Sequence, residues 1–341
     1  MLGTMSRRIT SFDVARLAGV SQSTVSRALR DLPSITPATR AKVARAAAEL
    51  RYVPLESGRS LSTRVTRRIA IVSESLTNPY HPLLIEALRA RLADLGYQTV
   101  LLADREDDAL TVATLADGSY DGVVITTAAR TSTLSRTLEE AGVPCIMVNR
   151  STDDVDQLSC TFDNLKGSTL IAELLIELGH TRIALINGPD RYSTSAARER
   201  GLRLRLDAAG LWIPERMTRR VPYSTVAGRA AALDLLRLRD RPTAVVCAND
   251  DLGLGALNAA ASLGLAVPED LTVIGFDDIP MAAWDVFSMT TIRCDLNLLA
   301  ARAVELLARL IRGRESAGSQ VIDVELVARD THAPPRVPPR R

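Results

Sequence analysis

Apolar residues recur along this chain at two different periods, and the period changes near residue 68. Before that point they stand three and four apart: Val14, Leu17 and Ala18 within 11–18, then Val25, Ala28 and Leu29, then Val43, Ala46, Ala47 and Leu50. Such spacing puts each set on one face of a short helix. Gly19 falls where the first helix would end, Ser21 can cap the second, and Thr36 followed by Pro37 opens the third. Three helices around one small core are predicted, the first two joined by a glycine turn as a helix-turn-helix.

Beyond residue 68 the pattern becomes short apolar runs alternating with amphipathic ones. IAIV (69–72), TVLLAD (99–104), GVVIT (122–126) and CIMVN (145–149) read as strands, with a helix over 82–96. A second series follows a helix at 166–178: IALING (183–188), a strand near 219–221, a helix over 225–238, TAVVCAND (243–250), a helix over 252–263 and LTVIGFDD (271–278). Strand and helix in alternation predict an α/β fold, here two successive lobes, each a doubly wound parallel sheet. Such sheets bind ligands outside the carboxyl ends of their strands. Polar and aromatic residues stand at or near those ends: Asn78, Tyr80, His81, Asp163, Arg198, Tyr223, Asn249, Asp250, Asp277 and Trp284. An isolated aspartate there is ordinarily a helix cap. As a set, carboxylates, an arginine and aromatic plates suit a sugar or similar polyol, whose hydroxyls need partners once desolvated, and a nucleobase fits the same set.

Charge sharpens the division. Residues 1–68 hold 13 Lys and Arg against 4 Asp and Glu, net +9, so the remainder of a chain of net charge +2 carries −7. A basic head on an acidic body points to nucleic acid bound at one end. The second helix offers polar side chains near its N-terminus, the end that a helix-turn-helix sets into the major groove, which makes Gln22, Ser23 and Arg27 candidate base readers. Thr10, Ser21, Thr24, Ser26 and Arg30 are candidates for backbone phosphates. On spacing alone, a plain three-helix bundle with a solvated polar face is an equal reading.

The run DVARLAGVSQSTVSRAL (13–29) resolves this, because it resembles the N-terminal signature of the LacI family of transcriptional regulators. The resemblance continues through TPATRAKVARAAAELRYVP (36–54) and spans roughly residues 9–332. It implies a double-stranded DNA partner read as a pseudo-palindrome by a homodimer, and a small-molecule effector between two lobes of periplasmic-binding-protein type. It favours Arg198 and Asp277 as effector contacts, although His81 stands where relatives often have an aromatic. ESGRSLSTR (56–64) resembles the family's hinge helix, which folds on DNA and wedges a leucine into the minor groove. Leu61 matches that leucine, flanked by Arg59, while Gly58 replaces the usual alanine and lowers helix propensity.

The layout expected is a disordered 1–8, a DNA-binding domain over 9–55, a hinge and linker over 56–66, an effector domain over 67–332 and a disordered tail over 333–341. Within the effector domain the first lobe is about 67–164 and 293–318, the second about 165–292 and 319–332. Four scattered cysteines with three histidines and no C-x-x-C read as buried reduced thiols, with no metal site and no cofactor. No apolar stretch reaches the ~20 residues that cross a bilayer, and no apolar segment follows the N-terminal arginines, so no membrane partner and a cytoplasmic location are expected. An enzyme is disfavoured. Gly253 and Gly255 give G-x-G, but Asn258 occupies the third glycine's place, and neither Lys42 nor Lys166 follows a glycine as a phosphate loop requires. An exported solute-binding protein lacks a reason for the basic head.

Overall fold

The computed structural model describes residues 9–29, 31–52, 65–74, 76–103, 112–314 and 318–336. It forms two units divided after Thr66. Arg30, Gly58, Arg59, Leu61 and residues 1–8 lie outside the described residues.

In the first unit α1 (Ser11–Ala18), α2 (Gln22–Leu29) and α3 (Pro37–Glu49) enclose Val14, Ala15, Ala18, Val25, Ala28, Val43, Ala46 and Ala47. The Asp13 carboxylate accepts from the backbone N–H and hydroxyl of Thr10 and fixes the start of α1. Gly19, at φ +63°, ends it in the left-handed conformation that suits glycine. Thr36 accepts from Thr39 N at 3.3 Å, with Pro37 in the first turn of α3. Leu17 and Leu29, expected in the core, are exposed at 46% and 38%. Their helices cross through small residues: the buried seam runs along Val14, Ala15 and Ala18 on one and Val25 and Ala28 on the other, which leaves both leucines on the rim.

The second unit opens with β1 (Arg68–Ser73), α4 (Tyr80–Asp94), β2 (Gln98–Ala103), α5 (Val112–Leu115), β3 (Gly122–Ile125), α6 (Leu134–Glu140), β4 (Cys145–Val148) and β5 (Ser159–Phe162). The chain then passes to a second lobe: α7 (Asn164–Glu177), β6 (Ile183–Asn187), α8 (Ser193–Asp207), β7 (Thr218–Arg220), α9 (Thr225–Leu236), β8 (Ala244–Cys247), α10 (Asp250–Ser262) and β9 (Thr272–Ile274). It returns through β10 (Thr291–Arg293) to α11 (Leu296–Ile311), which packs on α4 and on the first sheet, and ends with β11 (Gln320–Ile322) and β12 (Glu325–Val327).

The first sheet has the order β11-β5-β4-β3-β1-β2 and the second β7-β6-β8-β9, with every neighbouring pair parallel. An antiparallel pair, β10 with β12, lies where the chain passes between lobes. The sequence places the last crossing at 318–319. In the structure β11 instead pairs with β5 in the first lobe, because Gln320, Val321 and Ile322 extend that sheet at its free edge, so the crossing follows residue 322. Residues 333–336, expected to be disordered, are held against the second lobe: the Ala333 carbonyl accepts from Thr272 Oγ1 at 3.1 Å and Arg336 pairs with Asp270 at 2.6 Å.

Helices of the second lobe touch backbone to backbone. A methyl group at Gly228 of α9 would lie 2.6 Å from the Leu252 carbonyl of α10, one at Gly255 would meet the Thr225 carbonyl, and one at Gly201 of α8 the Leu165 carbonyl of α7. The G-x-G of the sequence is therefore a packing device, with Gly253 set against Met289. All four cysteines are free and buried. Burial pushes the Cys160 thiol up to about 11 and Cys145 to about 12, which leaves these two inert.

Candidate functional site

Two places gather the residues that the sequence singles out. On α2, Ser23 and Arg27 are exposed, while Gln22, Thr24 and Ser26 are half-buried. The Ser21 hydroxyl accepts from Thr24 N at 3.1 Å and bonds to the hydroxyls of Ser23 and Thr24, both at 2.8 Å, so it caps the helix. Gln22 Nε2 donates to Ser11 Oγ at 3.2 Å and ties α2 to α1. Thr10 is engaged with Asp13. The side chains with the freest reach from this face are thus Ser23 and Arg27, and several proposed phosphate contacts also hold the fold.

The second place is a narrow cleft of about 30 Å³ between the lobes, lined by Asn78, Tyr80, His81, Asn149, Arg150, Thr194, Arg198, Tyr223, Asn249 and Asp277. Each comes from the carboxyl end of a strand or from the helix that follows, where parallel topology aims unpaired chain ends. Arg198, in α8, is 6% exposed and bonded through all three nitrogens: Nε donates to Asn164 Oδ1 at 2.7 Å, Nη1 to the Ala248 carbonyl, and Nη2 to Asp277 Oδ1 at 3.0 Å. Its guanidinium lies 3.6 Å from the ring centre of Phe276. Asp277 sits at φ +114°, a strained conformation for a side chain with a Cβ, maintained by backbone bonding to Ile292. Burial raises its carboxyl to about 6 against the opposing pull of Arg198.

From the first lobe, Tyr80 donates to Asn149 Oδ1 at 2.9 Å and packs edge-on to His81. Burial, aided by Arg150 and opposed by Glu74, pushes His81 down to about 4, so the ring is neutral at physiological pH. The lobes meet across the rim. Tyr192 donates to Glu74 at 2.5 Å, Arg150 stacks 3.5 Å from the Tyr192 ring centre, Ser151 N donates to Ser193 Oγ at 2.9 Å, and Asn78 Nδ2 reaches the Tyr223 carbonyl at 3.4 Å.

Three expected contacts lie elsewhere. Asp163 caps α7 by accepting from Lys166 N at 2.8 Å. Asp250 is fully buried beneath the cleft, accepting from Thr291 Oγ1 at 2.5 Å and Ile279 N at 2.8 Å, and burial raises its pKa well above the usual range. Trp284 is 54% exposed and stacks on Phe287. Neighbours in the chain claim Asp163 and Trp284, whereas Asp250 is claimed by donors far along it. Conversely, sequence reading missed Asn149, Arg150 and Thr194. The first was absorbed into the strand reading of CIMVN, although β4 stops at Val148 and Asn149 turns out at φ +71°.

Comparison with known proteins agrees in both units. Residues 12–55 match the family described as bacterial regulatory proteins, lacI family, and residues 172–332 match the periplasmic binding protein-like domain. The HTH-type transcriptional regulator CelR of Thermobifida fusca is 34% identical, covering 95% of this chain and 98% of that protein. The HTH-type transcriptional repressor CytR of Escherichia coli K12 is 31% identical, covering 94% and 95%. Among solved structures, a lac repressor dimer bound to operator and the anti-inducer ONPF superposes with a TM-score of 0.83 at 28% identity, covering 96% of this chain and all of that one. A CelR–cellobiose complex gives 0.72 at 30% identity, covering 95% and 100%.

Proposed function

The chain belongs to the LacI family of bacterial regulators, a transcriptional regulator and not an enzyme, and from that premise we propose that a sugar or similar polyol bound in the interlobe cleft controls its hold on operator DNA. One observation carries this reading: polar groups of both lobes converge on one small cleft that lobe-to-lobe bonds close. A ligand that touches both lobes favours one lobe arrangement over another by its difference in affinity for the two, which is the thermodynamic requirement for a switch. The CelR–cellobiose complex supports a sugar, and the cleft's buried amides, carboxylate and guanidinium suit hydroxyl groups. A nucleoside is the second reading, favoured by the Tyr192 and Tyr223 rings stacked at 6.4 Å beside the cleft.

On the DNA side, α2 enters the major groove as part of a homodimer on a pseudo-palindrome, with Arg27, Ser23 and Gln22 facing base edges and Thr10, Ser21, Thr24, Ser26 and Arg30 facing phosphates. Gly58, Arg59 and Leu61 form the minor-groove hinge. The protein works in the cytoplasm, where its operator is. Fluorescence anisotropy with a full palindrome and with one half-site, each with and without a panel of sugars and nucleosides, tests the whole reading. Tight binding to the full site that a sugar alters supports it. Equal affinity for half and full sites removes the dimer, and a response confined to nucleosides removes the sugar.

A further inference from the structure

We propose that the effector carries a carboxylate and that Arg150 and His81 select it; this rests on the cleft being the polyol site argued above. The two arginines of the cleft differ in how completely they are matched. Arg198 has three acceptors and a carboxylate, Asp277, as buried as itself. Arg150 is only 3% exposed, yet its carboxylate partner Glu74 reaches a single Nη1 at 3.4 Å, is 30% exposed, and already accepts from Tyr192 at 2.5 Å. Among the described residues, the buried Nε of Arg150 and the buried Nδ1 of His81 have no hydrogen-bond partner. Both side chains line the cleft.

A desolvated guanidinium left part-paired is costly, and a carboxylate is the group that matches its planar fork of N–H donors. Because burial keeps His81 uncharged, its ring can donate one hydrogen bond from Nδ1 to the same carboxylate without adding a competing charge. A neutral hydroxyl would satisfy the two nitrogens as hydrogen-bonding atoms but would leave the charge of Arg150 with only the Tyr192 ring face and the partly solvated Glu74 to balance it. The charge therefore favours an acid over its neutral counterpart. The cleft as closed here, about 30 Å³, is far below the ~300–1,000 Å³ typical of ligand sites, so the lobes must part to admit a sugar-acid ring, whose hydroxyls would then meet Asn78, Asn149, Thr194 and Asp277.

The test is calorimetric titration of the full chain, at pH 7 and fixed ionic strength, with matched pairs: glucose and glucuronate, galactose and galacturonate, mannose and mannuronate. Inorganic phosphate controls for non-specific anion binding, and adenosine and uridine complete the panel. We expect one acid to bind at least tenfold more tightly than its aldose, with phosphate inert. Arg150→Gln should lower that acid's affinity at least tenfold and the aldose's less than threefold, and Arg150→Lys, which keeps the charge but not the fork, should fall between. His81→Phe should weaken the acid several-fold with little effect on the aldose. Operator binding by each variant confirms that it is folded, and the comparison of acid with aldose on the unaltered protein stands without any variant. An aldose that binds as tightly as its acid overturns the carboxylate while leaving the polyol site in place. A nucleoside as the sole ligand, or no binding across the panel, overturns both.

Discussion

The Tyr192 hydroxyl donates to the Glu74 carboxylate at 2.5 Å, a bond from the second lobe to the first at the rim of the cleft. The Arg191 carbonyl beside it accepts from Arg130 N at 2.8 Å, so the rim is tied at successive residues. Tyr192→Phe keeps the ring under Arg150 and removes the bond to Glu74 across the lobes together with the one the hydroxyl accepts from its chain neighbour Arg191 Nη2 at 2.8 Å. Glu74 is partly solvated, so the loss should be about 1 kcal/mol, below the ~1.5–3 of a buried case, and effector affinity should drop about fivefold. Calorimetry reads the affinity and small-angle scattering of the free protein reads the opening; an unchanged value in both would mean that closure does not depend on this bond.

Arg198→Ala should do more than blind the protein to effector. It leaves Asp277 buried without its cation, which costs about 3–5 kcal/mol. Asp277→Asn keeps a hydrogen-bonding group and should cost less. Urea unfolding compares the two, and equal stability of Arg198→Ala and the parent would show that the pair has no role in the fold.

Acid should weaken the fold through His81. Its folded pKa, about 4, lies below the ordinary 6.5, so between pH 6.5 and 4 the unfolded chain takes up a proton that the folded chain refuses, and stability is lost as pH falls through that window. The full effect is about 3 kcal/mol. Asp277, raised to about 6 from 3.8, acts oppositely, its contribution being present below 3.8 and lost as pH rises through 6. His81→Phe removes the first effect and leaves the second, so between pH 6.5 and 4 its denaturant midpoint should rise relative to the parent's as pH falls, and a difference between the two proteins that does not change with pH would refute the assignment.

On the DNA side, the exposed Arg27 and the capping Ser21 should differ in kind. Arg27→Ala should reduce preference for operator over random DNA by about 1–3 kcal/mol with modest change on random DNA. Ser21→Ala loses the cap bond to Thr24 N and should destabilise the first unit by about 1 kcal/mol. Anisotropy on both DNAs, with thermal melting of both variants, separates them. Equal losses on operator and random DNA for Arg27→Ala would reassign that residue to the backbone.

Periodicity made the helices of the head and most strands of the body legible, because each buries one face or both. The short strands β5, β10, β11 and β12 were not, since three or four residues carry no period, and the last lobe crossing was misplaced with them. Seven of the ten expected cleft residues line the cleft, for the general reason that parallel sheets turn their carboxyl ends to it. Asp163 and Asp250 failed because an aspartate's fate depends on the nearest N–H or hydroxyl, and in Asp250's case the decisive hydroxyl, Thr291, is 41 residues away.

The glycines that let α7 meet α8 and α9 meet α10 have a mechanical consequence. Helices in backbone contact have no layer of side chains between them to slide or repack, so each pair behaves as a single stiff plate. A methyl at Gly201, Gly228 or Gly255 would act as a shim that forces the plates apart. With its plates rigid, the second lobe has little internal give. Rotation against the first lobe is then taken up in the few residues where the chain passes between them, among them the stretch around Asp163 and the strands β10 and β12.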